Sequence, residues 1–170
     1  IPFRGTPAIR GSPAGWKNSR REATTLGNIK IHLNPDRCVC CYACVIACQD
    51  LHYDVDEEGP ALRRALRRES ETGEIHCTSM GCMHCASAPC LTACPTGAIW
   101  RDEDTGLVQV NQDRCVGCRS CLKACPFQVP QFNAQNKMVK CDGCLERIRA
   151  GRLPVCVQCC PSGALTLLQQ

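Results

Sequence analysis

Residues 115 to 126 read Cys115-Val-Gly-Cys118-Arg-Ser-Cys121-Leu-Lys-Ala-Cys125-Pro126, the spacing C-x2-C-x2-C-x3-C-P. That spacing suits iron–sulfur ligation. Three thiolates on one tight loop can reach three neighbouring irons of a cube. The fourth lies a helical turn further on, faces away and serves a second cube. Residues 34–48 repeat the pattern at an offset of 77 residues: Asn34-Pro-Asp-Arg-Cys-Val matches Asn111-Gln-Asp-Arg-Cys-Val, and Cys38, Cys41, Cys44 and Cys48 keep the spacing.

A second motif alternates with the first. Cys82, Cys85, Cys90 and Cys94 are spaced C-x2-C-x4-C-x3-C-P, and their counterparts are Cys141, Cys144, Cys156 and Cys160, with eleven residues in the middle gap. Both copies end in Cys-Pro, then Thr or Ser, then Gly-Ala and an aliphatic residue. There Pro stops a helix and Gly turns the chain into a short closing strand. The order along the chain is first type, second type, first type, second type. Spacing alone leaves open which motif shares its cubes with which.

Of the nineteen cysteines, Cys40, Cys77 and Cys159 stand outside the four motifs. They are read as small buried apolar thiols. His84, between Cys82 and Cys85, is expected to tune a cluster by hydrogen bonding and not to ligate iron. Zinc is the competing metal, since paired CxxC units make four-thiolate sites, and it would define a structural binding module. The C-x2-C-x2-C runs and the three Cys-Pro endings favour iron. No Ser–His–Asp set, glycine-rich phosphate loop or nucleotide fingerprint is present, and His32, His52, His76 and His84 have no metal-site spacing to one another. The chain is therefore expected to carry electrons and not to be an enzyme by itself.

Composition sets what must position these loops. The 170 residues include only seven aromatics, too few for a strong apolar core, so inorganic clusters are expected to couple metal binding to folding. The formal charge of +4 falls to about −4 once four clusters, each about −2 with its thiolates, are counted. The excess of Lys and Arg thus compensates buried anions, and no nucleic-acid partner is expected. Asn28-Ile-Lys-Ile-His-Leu33 and Leu107-Val-Gln-Val110 alternate as half-buried strands do, each just ahead of a first-type motif. Leu62 and Leu66 at helical spacing, ringed by arginines, predict a solvated helix or loop. Residues 1–28 carry Pro2, Pro7 and Pro13 with Arg4, Arg10, Lys17, Arg20 and Arg21, and read as an extended basic arm. Phe3, Ile9 and Trp16 would anchor that arm on a neighbouring subunit. No apolar run of about eighteen residues exists to span a membrane. Arg20-Arg21 is followed by polar sequence, so no export signal is read and a cytoplasmic location is expected, with the periplasm reached only alongside an exported partner. Only Thr166 to Gln170 follow the last motif, so no C-terminal domain is expected.

From Asn34 to Leu168 the chain resembles the four-cluster iron–sulfur subunits of the dimethyl sulfoxide reductase family. The resemblance rests on the motif cysteines, on Cys94-Pro-Thr-Gly-Ala, and on Lys140-Cys-Asp-Gly-Cys-Leu-Glu-Arg followed by Pro154-Val-Cys-Val-Gln-Cys-Cys-Pro. It implies an α+β fold of two pseudo-symmetric, bacterial-ferredoxin-like halves around four [4Fe–4S] clusters. The outer half would be 29–60 plus 126–170, the inner half 75–125, within a cluster domain of 29–170. Pairing outer motifs with outer and inner with inner implies four ligand sets. These are Cys38, Cys41, Cys44 and Cys160; Cys48, Cys141, Cys144 and Cys156; Cys82, Cys85, Cys90 and Cys125; and Cys94, Cys115, Cys118 and Cys121. The resemblance further implies a line of clusters passing single electrons between a large molybdenum or tungsten catalytic subunit and a second redox subunit. Small size and a basic arm look like the subunit accompanying bacterial tungsten aldehyde oxidoreductases, where such chains stack. A free-standing polyferredoxin is the alternative. Deleting residues 1–28 is expected to reduce assembly size in gel filtration with iron content unchanged; unaltered assembly contradicts a bridging arm.

Overall fold

A computed structural model of the protein describes residues 27–169. The expected arm lies, but for its last two residues, outside the described residues. Where apolar and polar side chains alternate, the chain extends. Strand β1, Ile29–Leu33, buries Ile29 at 2 % exposure. After the turn Pro35–Arg37 comes the first cysteine loop, then helix α1, Ala43–His52. Strands β2, Arg64–Glu69, and β3, Ile75–Met80, form a hairpin. Helix α2, Pro89–Thr92, leads to β4, Ile99–Arg101, and β5, Val108–Val110. Helix α3, Ser120–Ala124, is followed by the short strands β6, Gln131–Phe132, and β7, Met138–Val139. Helices α4, Leu145–Arg149, and α5, Val155–Gln158, precede the closing strand β8, Leu165–Gln169.

The architecture is α+β. The strands pair only in twos and antiparallel: β1 with β8, β2 with β3, β4 with β5, β6 with β7. Leu33 faces Leu165 in one ladder and Ile99 faces Val110 in another. The chain brackets both ladders in the same way. Asn34 N–H donates to the Ala164 carbonyl at 2.8 Å, and Asn111 N–H to the Ala98 carbonyl at 2.8 Å. Each Asn then folds its side chain back, accepting from Asp36 N–H at 3.0 Å and from Asp113 N–H at 2.9 Å. This Asx turn aims the next residues into the cysteine loop. Helix α1 packs on α5, and α2 on α3.

Apolar packing comes in small pieces. Ile29, Leu107, Leu145 and Ile148 join β1, the approach to β5 and α4. Met138 of β7 packs with Ile99 and Val108. Among the described residues no helix is long and apolar enough to cross a membrane.

The solvated helix or loop expected around Leu62 and Leu66 does not form; residues 64–69 are strand β2. Within it only Ala65, at 9 % exposure, is buried; Leu66 is 41 % exposed, and Leu62 and Arg63, at 8 and 3 %, are both buried just ahead of it. The deciding signal lies further on, in a tight turn. Ser70 N–H donates to the Glu74 carbonyl at 2.8 Å, Glu74 N–H returns to Ser70 Oγ at 3.0 Å, and Gly73 sits at φ +81°. Closing that turn pairs the strands, which outweighs the slight helical preference of a Leu/Arg run. Residues 75–80 lie against the start of α1, where Ser79 Oγ is 3.2 Å from Cys44 Sγ.

One buried carboxylate ties the β4–β5 hairpin to α4. Asp102, 3 % exposed, accepts from Thr105 N–H at 3.1 Å, Thr105 Oγ at 2.6 Å and Arg149 Nη2 at 2.6 Å. Arg149 is 44 % exposed, so water screens the ion pair. The cost of losing Asp102 lies mainly in the unsatisfied donors. Asp102→Ala is expected to destabilise the fold by about 2 kcal/mol, read as a lower denaturant midpoint in anaerobic unfolding; an unchanged midpoint contradicts this role.

Candidate metal centre

Each C-x2-C loop turns on a left-handed residue immediately before its second cysteine. Cys40 has φ 53°, His84 φ 45°, Gly117 φ 70° and Gly143 φ 73°. In the two first-type loops the following residue is left-handed as well, Tyr42 and Arg119 both at φ 62°. Backbone of this kind gathers successive N–H groups into a concave nest, which suits an anion. Cys40 and His84 hold that geometry without glycine's freedom, a local strain of the sort that persists where surrounding structure over-determines it. Short helices then carry the next ligand candidates onward: Cys44 and Cys48 on α1, Cys90 on α2, Cys121 on α3, Cys156 on α5.

Three cavities are ringed by cysteines. One, with about 340 Å³ of empty volume, is lined by Cys38, Cys41, Cys44 and Cys160, and by Cys40 as well. A second of about 340 Å³ is lined by Cys82, Cys85, Cys90 and Cys125. The third, about 320 Å³, is lined by Cys94, Cys115, Cys118 and Cys121. Of the four motif cysteines in each ring, one comes from a different motif than the other three. The remaining motif cysteines, Cys48, Cys141, Cys144 and Cys156, are all buried, at 5, 4, 6 and 3 % exposure, and lie within electrostatic reach of one another. Among the described residues no three Cys, His, Asp or Glu side chains close on a single-ion centre. The sulfurs are spread around volumes, as a polynuclear group requires.

The electrostatics fit a group that brings its own positive metal. Burial pushes the Cys144 thiol up to about 12 and the Cys156 and Cys121 thiols up to about 11. Burial is also the main cause of the raised Cys48 thiol, followed by Cys141, Cys156 and Cys144. Such thiols ionise only when a metal supplies the missing charge. At the rim the balance reverses. Cys118 is lowered chiefly by Ser120. Burial raises Cys94 and Cys160, but Thr96 and Ser162 with nearby backbone N–H groups outweigh it. Backbone N–H groups also reach sulfur directly, Met138 to Cys115 Sγ at 3.4 Å and His84 to Cys82 Sγ at 3.5 Å.

Cations brace the loops through their carbonyls. Arg101 donates to the Cys85 and Ala86 carbonyls at 2.6 and 2.9 Å, Arg114 to the Thr96 carbonyl at 2.9 Å, and Lys137 Nζ to the Cys115 carbonyl at 2.6 Å. His52 donates from Nδ1 to the Cys48 carbonyl at 2.8 Å and from Nε2 to Asp142 at 3.3 Å. The Asp142 carboxylate holds the ring's pKa above its ordinary value against burial. His84 is the opposite case. Its Nδ1 accepts from Val108 N–H at 2.9 Å, so the proton sits on Nε2. Burial and then Lys140 press the ring down to about 3 and keep it neutral. The buried Nε2–H has no partner among the described residues and faces the Cys141–Cys144 loop, 3.3 Å from where a Gly143 Cβ would stand. This orphan donor is one that an anionic group held by that loop would satisfy.

The structure adds residues that motif spacing left unassigned. Arg63 and Lys140, 3 and 6 % exposed, lie among the cysteines. Cys40 and Cys77 are buried beside each other, whereas Cys159 is only half-buried.

Cysteine nests of this kind on paired two-stranded ladders define a ferredoxin-type iron–sulfur protein. Residues 73–170 match the 4Fe-4S dicluster domain, and the chain belongs to that family. It is 41 % identical over 135 residues to the thiosulfate reductase electron transfer subunit of Salmonella typhi, covering 76 % of this chain and 69 % of that one. The B subunit of the anaerobic dimethyl sulfoxide reductase of Haemophilus influenzae is 37 % identical over 146 residues, covering 79 % and 70 %. An uncharacterized ferredoxin-like protein of Escherichia coli, YdhX, is 38 % identical over 161 residues, covering 91 % and 71 %.

Gly143 tests the nest. A Cβ there would stand 2.7 and 2.8 Å from the Leu107 methyl groups at a φ of +73°, whereas Gly73 at φ +81° has nothing within 4 Å. Gly73→Ala is expected to cost about 1 kcal/mol of strain with iron content intact. Gly143→Ala is expected to cost more and to lower iron per chain. Equal iron in both variants contradicts a ligand nest at Gly143.

Proposed function

We propose that the chain is the electron-transfer subunit of an oxidoreductase complex, holding four [4Fe–4S] clusters in a line. The carrying observation is that three cavities are each ringed by four motif cysteines drawn from two motifs, with Cys40 as a fifth in the first. The ligand sets are Cys38, Cys41, Cys44 and Cys160 for the first site and Cys48, Cys141, Cys144 and Cys156 for the second. Cys82, Cys85, Cys90 and Cys125 make the third, and Cys94, Cys115, Cys118 and Cys121 the fourth. Two pseudo-symmetric halves account for the sets, 29–60 with 126–170 and 75–125. The recurring Asn bracket at Ala164 and at Ala98 supports that division. The contact of His84 with the Cys141–Cys144 loop supports a line in which the second site adjoins the third.

Bound clusters supply one-electron redox chemistry. The protein's part is to bind, space and tune. Left-handed loops present N–H groups to sulfur, Thr96, Ser120 and Ser162 stabilise thiolates at the rim, and burial excludes water from the second site. Cys41 and Cys118, at opposite ends of the proposed line, are exposed and suit electron exchange with partners. One partner is a large catalytic subunit with a molybdenum or tungsten cofactor, in keeping with relatives named for thiosulfate and dimethyl sulfoxide reductases; the other is a second redox subunit. An aldehyde oxidoreductase is the specific complex suggested. A reducing compartment, the cytoplasm, suits nineteen cysteines kept for metal.

Serine variants of the ligands test the assignment by iron count and paramagnetic resonance. Cys125→Ser and Cys82→Ser are expected to abolish the same centre, about four irons, and Cys159→Ala none. Loss of one shared centre by Cys125→Ser and Cys115→Ser contradicts the pairing. Isolation from its native host with a large molybdenum- or tungsten-containing chain supports the complex; isolation as a lone, fully active carrier contradicts it.

A further inference from the structure

Two buried cations lie between the proposed cluster sites, and among the described residues neither has an acidic partner. Arg63 is 3 % and Lys140 6 % exposed. Among the described residues the ion pairs involve His52, His76 and Arg149 but neither of these two. Burying Arg or Lys without a countercharge is strongly unfavourable, and such residues are almost never fully buried unless paired. The missing anion has to come from elsewhere.

Their positions say where. Arg63 Nη1 donates to Ser79 Oγ at 3.0 Å, and that oxygen is 3.2 Å from Cys44 Sγ of the first site. On its other side the guanidinium crowds Gly81, whose Cβ would stand 3.1 Å from Arg63 Nη2 and 3.5 Å from Cys141 Cβ of the second site. Arg63 Nε is buried with no hydrogen-bond partner among the described residues. Lys140 precedes Cys141 and donates from Nζ to the Cys141 carbonyl at 3.0 Å and to the Val108 carbonyl. Val108 in turn lines the third-site cavity beside Cys82 and Cys90. One cation thus stands between the first and second sites and one between the second and third.

We infer that Arg63 and Lys140 are fixed electrostatic spacers, each neutralised by the two cluster anions that flank it. This rests on the ligand sets proposed above. Each spacer favours the reduced form of its neighbours, because an arriving electron adds negative charge beside a positive one. Each also weakens the repulsion between two adjacent sites when both are reduced, so electrons pass without an uphill step at the buried second site. Arg63 and Lys140 are positioning residues, acting through charge and not through ligation.

Redox titration of the anaerobic holo-protein, followed by paramagnetic resonance with iron analysis, tests this on Arg63→Gln, Lys140→Gln and the double variant. Arg63→Gln is expected to lower two of the four potentials by at least a tenfold change in the reduction equilibrium, about 59 mV for one electron. Lys140→Gln is expected to lower two, one of them shared with Arg63→Gln. The double variant should lower three, the shared one most. Fully loaded variants with unmoved potentials, or with all four moved alike, overturn the inference. Should a neutral variant lose iron, Arg63→Lys and Lys140→Arg decide. Wild-type loading and potentials in these support charge as the requirement; iron loss or equal shifts in them point to packing and overturn it. Wild-type protein without four titrating centres contradicts the ligand sets themselves. Four wild-type centres with unmoved variants contradict only the spacers.

Discussion

Four cysteine loops turn their backbone N–H groups inward, and the rest of the chain is arranged to hold them so. The left-handed residue before the second cysteine of each loop makes this possible. Where it is glycine the geometry is nearly free, and where it is Cys40 or His84 it is strained. Around that constraint the elements are as short as they can be. Ladders of two strands and helices of one to three turns would not be stable alone. They close over concavities lined by sulfur and would gain their stability from what those concavities hold.

Charge follows from the same constraint. Thiols buried as deeply as Cys144 and Cys156 do not ionise unaided, and guanidinium and ammonium groups as buried as Arg63 and Lys140 do not persist unpaired. Each half of this arrangement is unfavourable without the other. Iron-bound thiolates carrying net negative charge reconcile them, which explains the basic composition of the chain. It also explains why so many arginines end on backbone carbonyls of the loops: Arg101 and Arg114 hold the nests in shape from outside.

Much of this was legible in the sequence because cysteine spacing is a geometric statement. Both alternating segments appear as strands, Ile29–Leu33 and Val108–Val110, and the turns after Cys94 and Cys160 lead into β4 and β8. The β2–β3 hairpin was not legible. Leu62 and Leu66 suggested helical period, while the face that matters carries Arg63, and no pattern of apolar residues announces a buried arginine. Nor was the β6–β7 pair, where two residues per strand leave too short a run to show periodicity and Met138 is buried by long-range packing. The direction of His84 was equally hidden: its tautomer is set by Val108, twenty-four residues away.

The central claim is that these loops are wound around iron–sulfur cubes and not around single ions. The most direct measurement is metal analysis of the anaerobically purified wild-type protein together with its spectrum on reduction. About sixteen irons per chain with matching sulfide, a brown colour that bleaches on reduction, and four reducible paramagnetic centres are the predicted result. A colourless protein with stoichiometric zinc would contradict it.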